Sequence, residues 1–194
     1  MQHVAVEGDM DAKEKQERLI EAVVALLDAA PGKRLQVTNL NKALFYLDLV
    51  ALRDRGSAVT DAVYLAYERG PVAESYKSKL EQLTNLGIII QDEEGMAKPI
   101  VLKKALPSFR YLDDSHRQMA TNVATHIGKQ SASDVSGWSH KNPGWIAARK
   151  RGEQEPINML LAMQQIMEHD PWLDEPVTEQ EQLRLDEKEE TVPW

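Results

Sequence analysis

The chain has 194 residues, which suits one domain with tails, and it lacks cysteine, which excludes disulfides, zinc ribbons and cysteine nucleophiles. Its net charge of −8 resides in residues 168–194, which hold ten acids and two bases; residues 1–167 are neutral. A neutral body lacks the basic surface of a protein that binds nucleic acid by itself. No apolar run approaches the roughly 18 residues of a membrane span, and the polar residues 1–15 do not resemble a signal peptide. We therefore expect a cytoplasmic protein.

Two helices are predicted at the start of the chain. From residue 11 onward, apolar residues recur at helical spacing until Pro31-Gly32 stops the pattern. A second helix begins near Thr38, the predicted N-cap, and ends at Gly56, the predicted C-terminal glycine. Its apolar residues cover so much of its surface that this helix should be central to the domain.

A strand, a third helix and a hairpin are predicted next. Residues 62–68 are short and rich in valine and tyrosine, which favours a strand. Gly70-Pro71 is interpreted as a turn, with Pro71 near the first position of a helix over residues 72–86. Two short apolar runs between residues 88 and 102, separated by an acidic turn, predict a β-hairpin.

The second half of the chain is predicted to be helical. Asp113-Asp114-Ser115 provides an N-cap cluster for a helix over residues 116–129. Three shorter helices follow: one opening at Ser133-Asp134, one reaching Arg151 after the break at Asn142-Pro143-Gly144, and one from Pro156 through Met167.

These elements predict a mainly helical α+β fold, a compact helical domain with a short strand and a β-hairpin in its first half. We place a flexible N-terminus at residues 1–10 and the domain at residues 11–172. The acidic residues 173–194 form a tail that we expect to be disordered.

Motifs for catalysis, metals and phosphates are missing from the sequence. The five histidines form no HExxH or H-x₃₋₅-H pair, and the glycines form no phosphate-binding loop, so we expect neither a metal nor a cofactor. Ser136 lies one turn before His140, and this pair is the basis of a hydrolase hypothesis in which His140 activates the serine. A structural hydrogen bond is the simpler interpretation of the pair.

Two binding hypotheses remain open at this level. A helix over residues 72–86 followed by a hairpin has the outline of a winged helix, which would make the chain a DNA-binding transcriptional regulator. That helix balances Lys77 and Lys79 against Glu74 and Glu81, whereas a reading helix should be basic. Aromatic residues near Gly70-Pro71 and around His140 would either pack in the core or line a groove for protein recognition.

An ordered series of landmarks resembles the Panacea antitoxin family, whose members are also described as SocA-like or phage-associated. The matching residues are Leu40, Lys42, Leu44, Phe45, Tyr46, Asp48, Gly56, Val59, Thr60, Gly70, Pro71, Val72, Tyr76, Leu83, Gly87, Ser136, His140, Trp145 and Arg149. The resemblance extends over about residues 38–165. It implies a non-enzymatic antitoxin that binds a cognate protein toxin encoded next to it, and in one branch of the family delivers the toxin to a Clp-type protease.

The family landmarks, together with the aromatic residues near Gly70-Pro71 and around His140, indicate the residues of a shared pocket or toxin-binding site. Its members are Tyr46, Tyr67, Gly70, Pro71, Tyr76, Ser136, His140, Trp145 and Arg149. In this interpretation nucleic acid and membranes are not partners, and the acidic tail either covers a basic toxin surface or keeps the protein in solution.

Overall fold

The computed structural model describes residues 12–92 and 98–173, which form seven α-helices and five short strands. The helices are α1 Ala12–Ala29, α2 Val37–Arg55, α3 Tyr76–Asn85, α4 Asp114–Ile127, α5 Ala132–His140, α6 Pro143–Arg151 and α7 Met159–Met163. The strands are β1 Arg34–Leu35, β2 Tyr64–Tyr67, β3 Gly70–Ala73, β4 Ile89–Gln91 and β5 Ile100–Leu102. The predicted class, α+β and mainly helical, is confirmed. The predicted N-terminal segment, most of the acidic turn and residues 174–194 of the tail lie outside the described residues.

Helix α2 is central, as its apolar surface predicts. Every residue from Asn39 to Ala51 is buried, and the helix contacts α1, α4, α5, α7 and β3. It ends at Gly56, whose φ of 74° lets its N–H donate to the carbonyl of Leu52. Its start differs from the prediction, because the helix begins at Val37 and Thr38 therefore lies in the first turn rather than at the cap.

The interpretation of Gly70-Pro71 as a turn into a helix is wrong. Residues Gly70–Ala73 form β3, which pairs antiparallel with β2, and α3 begins only at Tyr76. Proline is tolerated because it lies opposite Ala66, whose N–H and C=O point to the other edge of β2 and bond to residues 155 and 154. Ala66 and Pro71 are therefore a pair that exchanges no backbone hydrogen bonds, and the missing N–H of proline leaves no acceptor of β2 unsatisfied.

A second sheet contains three strands in the order β1-β5-β4, all antiparallel. The β4–β5 hairpin confirms the prediction, with Ile89 opposite Leu102. Strand β1 is only two residues long, and no periodicity can appear in so short a segment, so the sequence analysis did not predict it.

The last predicted helix, Pro156 through Met167, is too long at both ends. Helix α7 begins at Met159 behind the N-cap Asn158, and a 3₁₀ turn over Gln164–Ile166 follows it. Residues 155–157 instead run antiparallel beside β2, after a turn in which Gln154 has a φ of 56°: Pro156 forms a β-bridge with Leu65, and the N–H of Ile157 donates to the carbonyl of Tyr64 at 2.8 Å. They thus continue the β2–β3 sheet with a segment about ninety residues away in sequence.

The remaining helices begin at side-chain caps. Asp113 caps α4 as predicted, Ser131 caps α5 two residues before the predicted start at Ser133, and Asn142 caps α6 with Pro143 in the first turn. Within the part of the chain described here, no helix is both long and apolar enough to span a membrane.

Candidate functional site

The tip of the β2–β3 hairpin is held by a lysine from the central helix. The ammonium of Lys42, in α2, donates a 2.6 Å hydrogen bond to the backbone carbonyl of Arg69. The lysine is only 2% exposed. A hydrogen bond from a charged group to a buried carbonyl is among the stronger ones in proteins. Lys42 therefore fixes the hairpin against α2.

Gly70 lets the hairpin approach the helices closely. Its φ of 116° is rarely adopted by other residues, and a Cβ at this position would lie 2.7 Å from Ser139 Oγ and 3.0 Å from Lys42 Cε. Ser139 itself is buried in α5, where its hydroxyl donates to the carbonyl of Ser136 at 2.9 Å. Backbone and side chains thus pack directly together where β3, α2 and α5 meet.

Aromatic side chains flank the same hairpin tip. The indole N–H of Trp145, in α6, donates to the carbonyl of Tyr67 at 2.9 Å. The ring of His140 stacks on Trp145 with 4.6 Å between centroids and 20° between planes. Arg149, one helical turn further along α6, reaches the carbonyl of Ala66 at 3.4 Å. We call Tyr67, His140, Trp145 and Arg149 the hairpin surface.

A buried polar network supports this surface from below. Asn142 caps α6 by accepting from the N–H of Trp145, and its amide nitrogen donates to the carbonyl of Ala162 and to Gln165 Oε1, at 2.8 Å for the latter. Gln165 Oε1 also accepts from the hydroxyl of Tyr46, and Gln165 Nε2 donates to the carbonyl of Trp138 at 2.7 Å. One glutamine therefore links α2, α5 and the start of α6.

Asp48 fixes the other end of β2. Its buried carboxylate accepts hydrogen bonds from the N–H of Thr60 at 2.8 Å, from the hydroxyl of Thr60 and from the hydroxyl of Tyr64 at 2.9 Å. Burial raises the pKa of Asp48 to about 6, although these donors act in the opposite direction. The chain leaving α2 is thereby tied back to it just before the hairpin.

The structure gathers most of the predicted site residues around the hairpin. Tyr67, Gly70 and Pro71 belong to it, His140, Trp145 and Arg149 flank it, and Tyr46 supports it through Gln165. Tyr76 lies apart: its hydroxyl donates to the carbonyl of Val37 at the start of α2, and burial raises its pKa.

Ser136 contributes its backbone rather than its hydroxyl. Its buried Oγ makes no hydrogen bond within the described part of the chain, so the contact with His140 on which the hydrolase hypothesis depends does not form. In the same part of the chain, no three acidic or histidine residues lie close enough together to hold a metal ion.

Several residues of this region were not predicted as site residues. Ser139, Asn142 and Gln165 act through contacts with residues far away in sequence. The position of Asn142 could be predicted in part, because asparagine before proline is typical of a helix start. That pattern indicates the helix cap, but it does not indicate which residues the amide contacts. Nothing in the sequence around Gln165 indicates its role.

A depression of about 900 Å³ lies elsewhere, between the end of α2 and the start of α4. Its charged groups are engaged with one another: Arg55 pairs with Asp113 at 3.1 Å, and Arg117 pairs with Asp114 and lies over the ring of Phe109. The hairpin surface, by contrast, presents tyrosine, tryptophan and arginine side chains, the residue types that are enriched among the strongest contacts of protein interfaces.

A comparison with protein families gives one match. A family described as "Antitoxin SocA-like, Panacea domain" matches residues 40–146, more than half of the chain. The matched range contains all but the first three residues of α2, the helices α3 to α5, the β2–β3 hairpin and Trp145. No curated protein and no solved structure matches the chain.

Proposed function

The chain belongs to the antitoxin SocA-like, Panacea-domain family, and from this premise we propose that it neutralises a cognate toxin by direct protein–protein binding in the cytoplasm. The toxin is the protein encoded by the adjacent gene. The family match carries this proposal, and it supports a binding role rather than an enzymatic one. We place the antitoxin domain at residues 11–172.

We assign the toxin contact to the hairpin surface. Tyr67 is more than a third exposed, and His140, Trp145 and Arg149 are partly exposed beside it. These side chains are held in place from below by Lys42, Gly70 and Asn142. A rigid, partly apolar surface loses little conformational entropy when it binds, which favours tight association.

Co-expression with the adjacent gene tests the function and the site together. We expect the unmodified chain to rescue growth and Tyr67→Ser to weaken binding at least tenfold, because truncating an exposed aromatic anchor removes most of its contact area. Val63→Ser is the matched control, since Val63 is also exposed and directly precedes β2, away from the hairpin tip. A harmless neighbour, or a toxin that remains toxic beside this chain, would contradict the function; equal binding by Tyr67→Ser would contradict the site.

The measurement also separates two mechanisms of neutralisation. If the chain blocks the toxin by occlusion, the toxin level stays constant while toxicity disappears. If the chain delivers the toxin to a Clp-type protease, the half-life of the toxin shortens, and rescue is lost in cells without that protease. We expect occlusion, because the hairpin surface offers a direct contact.

The winged-helix regulator is the alternative, favoured by one observation: α3 leads directly into the β4–β5 hairpin. Its charges oppose this function, because Lys77 and Lys79 share α3 with Glu81, and Arg34 on β1 pairs with Asp92 at 3.6 Å. DNA binding depends on excess positive charge facing the phosphates. An electrophoretic shift of the chain's own promoter region at moderate salt would favour the regulator.

A further inference from the structure

Arg149, in α6, has one side of its guanidinium group engaged and the other side open. Its Nη1 donates to the carbonyl of Ala66 at 3.4 Å and lies 3.9 Å from the carboxylate of Glu153. Its Nε and Nη2 make no hydrogen bond to the residues that the structure describes, and neither atom is buried. These two nitrogens form a planar fork whose spacing matches the two oxygens of a carboxylate. The fork is therefore available to a carboxylate of another molecule.

Arginines that are buried to a similar degree pair more closely with acids in this structure. The side chain of Arg149 is 26% exposed, and those of Arg18 and Arg53 are 20% and 21% exposed. Arg18 lies 2.9 Å from a carboxylate one helical turn away, and Arg53 lies 2.6 Å from that of Asp170. Partial burial of a charged group is costly unless a partner replaces the lost water. Glu153 replaces little of it, because 3.9 Å is beyond hydrogen-bonding distance and its side chain is 80% exposed.

Arg149 lies beside the aromatic residues of the hairpin surface. It follows Trp145 by one turn of α6, so the two side chains project from the same side of the helix. They donate to consecutive carbonyls at the end of β2, those of Ala66 and Tyr67. Trp145 also stacks on His140, and Tyr67 is more than a third exposed. An acidic residue bound by Arg149 would therefore bring its neighbours against these aromatic rings.

Basic residues predominate in this part of the molecule. The hairpin tip and the chain around His140 and Arg149, which are residues 68–69, 140–141 and 149–153, hold five bases and two acids. Two of these bases, Lys141 and Lys150, are exposed and form no ion pair with any residue in the described ranges. Residues 1–167 are neutral as a whole, so this excess is local. A local excess of positive charge attracts an acidic partner and repels a basic one.

We propose that the toxin binds the hairpin surface with an aspartate or glutamate whose two carboxylate oxygens accept hydrogen bonds from Nε and Nη2 of Arg149. The inference rests on the proposed function and adds the chemistry of the partner: an acidic side chain next to an apolar one, which packs on Tyr67 and Trp145. Arg149 then determines specificity. A partner with an apolar or basic group at this position would cover the guanidinium without pairing it, which costs binding energy.

Binding of full-length variants to the protein encoded by the adjacent gene tests the inference. We expect Arg149→Gln to weaken binding at least tenfold, because a neutral amide cannot replace the charged fork. Arg149→Lys keeps the charge but cannot bridge two oxygens, so it should weaken binding about threefold. Arg117→Gln is the matched control: it removes the same charge from α4, where Arg117 pairs with Asp114, and should bind as the unmodified chain does.

The salt dependence of binding separates a carboxylate from other partners of Arg149. The affinity of the unmodified chain should fall as salt rises, and that of Arg149→Gln should fall less steeply, because one ion pair is missing. Equal salt dependence in the two chains would mean that Arg149 meets an uncharged group or only supports β2 through Ala66, and it overturns the inference. Unchanged affinity in Arg149→Gln or in Arg149→Lys also overturns it. The lysine variant decides if circular dichroism shows that Arg149→Gln does not fold.

Other occupants of the fork give different results. Tighter binding by Arg149→Gln would mean that a carboxylate of this chain occupies the fork and competes with the partner. A free chain that is dimeric by light scattering, and monomeric as Arg149→Gln, would mean that a second copy occupies it. Loss of the complex on nuclease treatment would mean that phosphates hold it together. Each of these results overturns the inference.

Glu153→Gln completes the set of variants. It should bind at least as tightly as the unmodified chain, because it removes an acid that repels the partner's carboxylate. Weaker binding would mean that Arg149 acts through Glu153, which overturns the inference. Weak binding by Tyr67→Ser together with unchanged binding by Arg149→Gln would leave the proposed function and its site intact. Failure of the unmodified chain to form any complex would contradict the proposed function, and the inference with it.

Discussion

Asp48 is a charged residue that folding places in the core. Its pKa of about 6 lies above the ordinary value of 3.8, because burial opposes ionisation more strongly than Thr60 and Tyr64 favour it. The folded state therefore binds a proton more tightly than the unfolded chain does. The stability that this proton contributes is fully present below about pH 4 and is lost as the pH rises through 6.

We therefore predict that Asp48→Asn removes a pH dependence of stability. The free energy of unfolding of the unmodified protein, relative to that of the variant, should fall by about 2 kcal/mol between pH 4 and pH 7. Urea unfolding at four pH values measures it. Asp28→Asn is the control, because Asp28 forms an exposed ion pair with Lys33 and should change the slope little. A constant difference between the unmodified protein and Asp48→Asn would contradict the shifted pKa.

Gly70 allows a prediction about packing. We expect Gly70→Ala to destabilise the protein by about 2–4 kcal/mol, since it combines an unfavourable φ with a methyl group 2.7 Å from Ser139 Oγ. Thermal unfolding measures the loss. Adding Ser139→Ala should restore part of it, because the closest clash disappears.

The control for this prediction is another glycine. Gly152 has an extended φ of 162°, and a Cβ there would meet its nearest neighbour at 3.5 Å, so Gly152→Ala should change stability by less than about 0.5 kcal/mol. Similar losses for the two substitutions would mean that Gly70 is not required for the close approach.

Among the elements, the start of α6 depends on donors as well as on a cap. Asn142→Asp keeps the capping oxygen but replaces the amide that donates to Ala162 and Gln165, so two buried acceptors face a carboxylate. We expect a loss of about 2–4 kcal/mol in urea unfolding. Asn158→Asp is a matched control, because Asn158 only caps α7, at an exposed position, and should be nearly neutral.

Elements determined by local chemistry could be predicted from the sequence. Helix α2 follows from its continuous apolar surface and ends where Gly56 supplies a positive φ, and Asp113 marks the start of α4. The predictions are wrong where hydrogen bonds to a distant part of the backbone determine the local structure. Pro71 is compatible with a turn or an edge strand, and only the pairing of β2 with both β3 and residues 154–157 selects the strand.

The candidate site, too, could be predicted from the sequence only in part. The resemblance to known antitoxins brought together Tyr67, Gly70 and Trp145, although their spacing in sequence gives no reason for them to meet. Gln165 could not be predicted, because its role consists of hydrogen bonds to side chains and a carbonyl 23 to 119 residues away. Amide side chains carry no local signal that distinguishes a buried hub from a solvated surface residue.

At the scale of the molecule, hydrogen bonds join the first half of the described chain to the second half. Residues 154–157 pair with β2, and Gln165 joins Tyr46 of α2 to Asn142. We predict a single cooperative unfolding transition. In a Trp194→Phe chain, tryptophan fluorescence and far-UV circular dichroism should give urea midpoints that agree within about 0.2 M. An earlier fluorescence transition would mean that the segment carrying Trp172 unfolds separately.

The pairing of β2 with residues 154–157 has a consequence for synthesis. The hairpin leaves the ribosome about ninety residues before the segment that pairs with it, a delay of roughly 5–20 s at ordinary translation rates. Trp145 is missing for most of that interval and Gln165 for all of it, so Tyr67 has neither its neighbour nor its support. A nascent chain therefore cannot present the finished hairpin surface until the segment that carries Gln165 has left the ribosome.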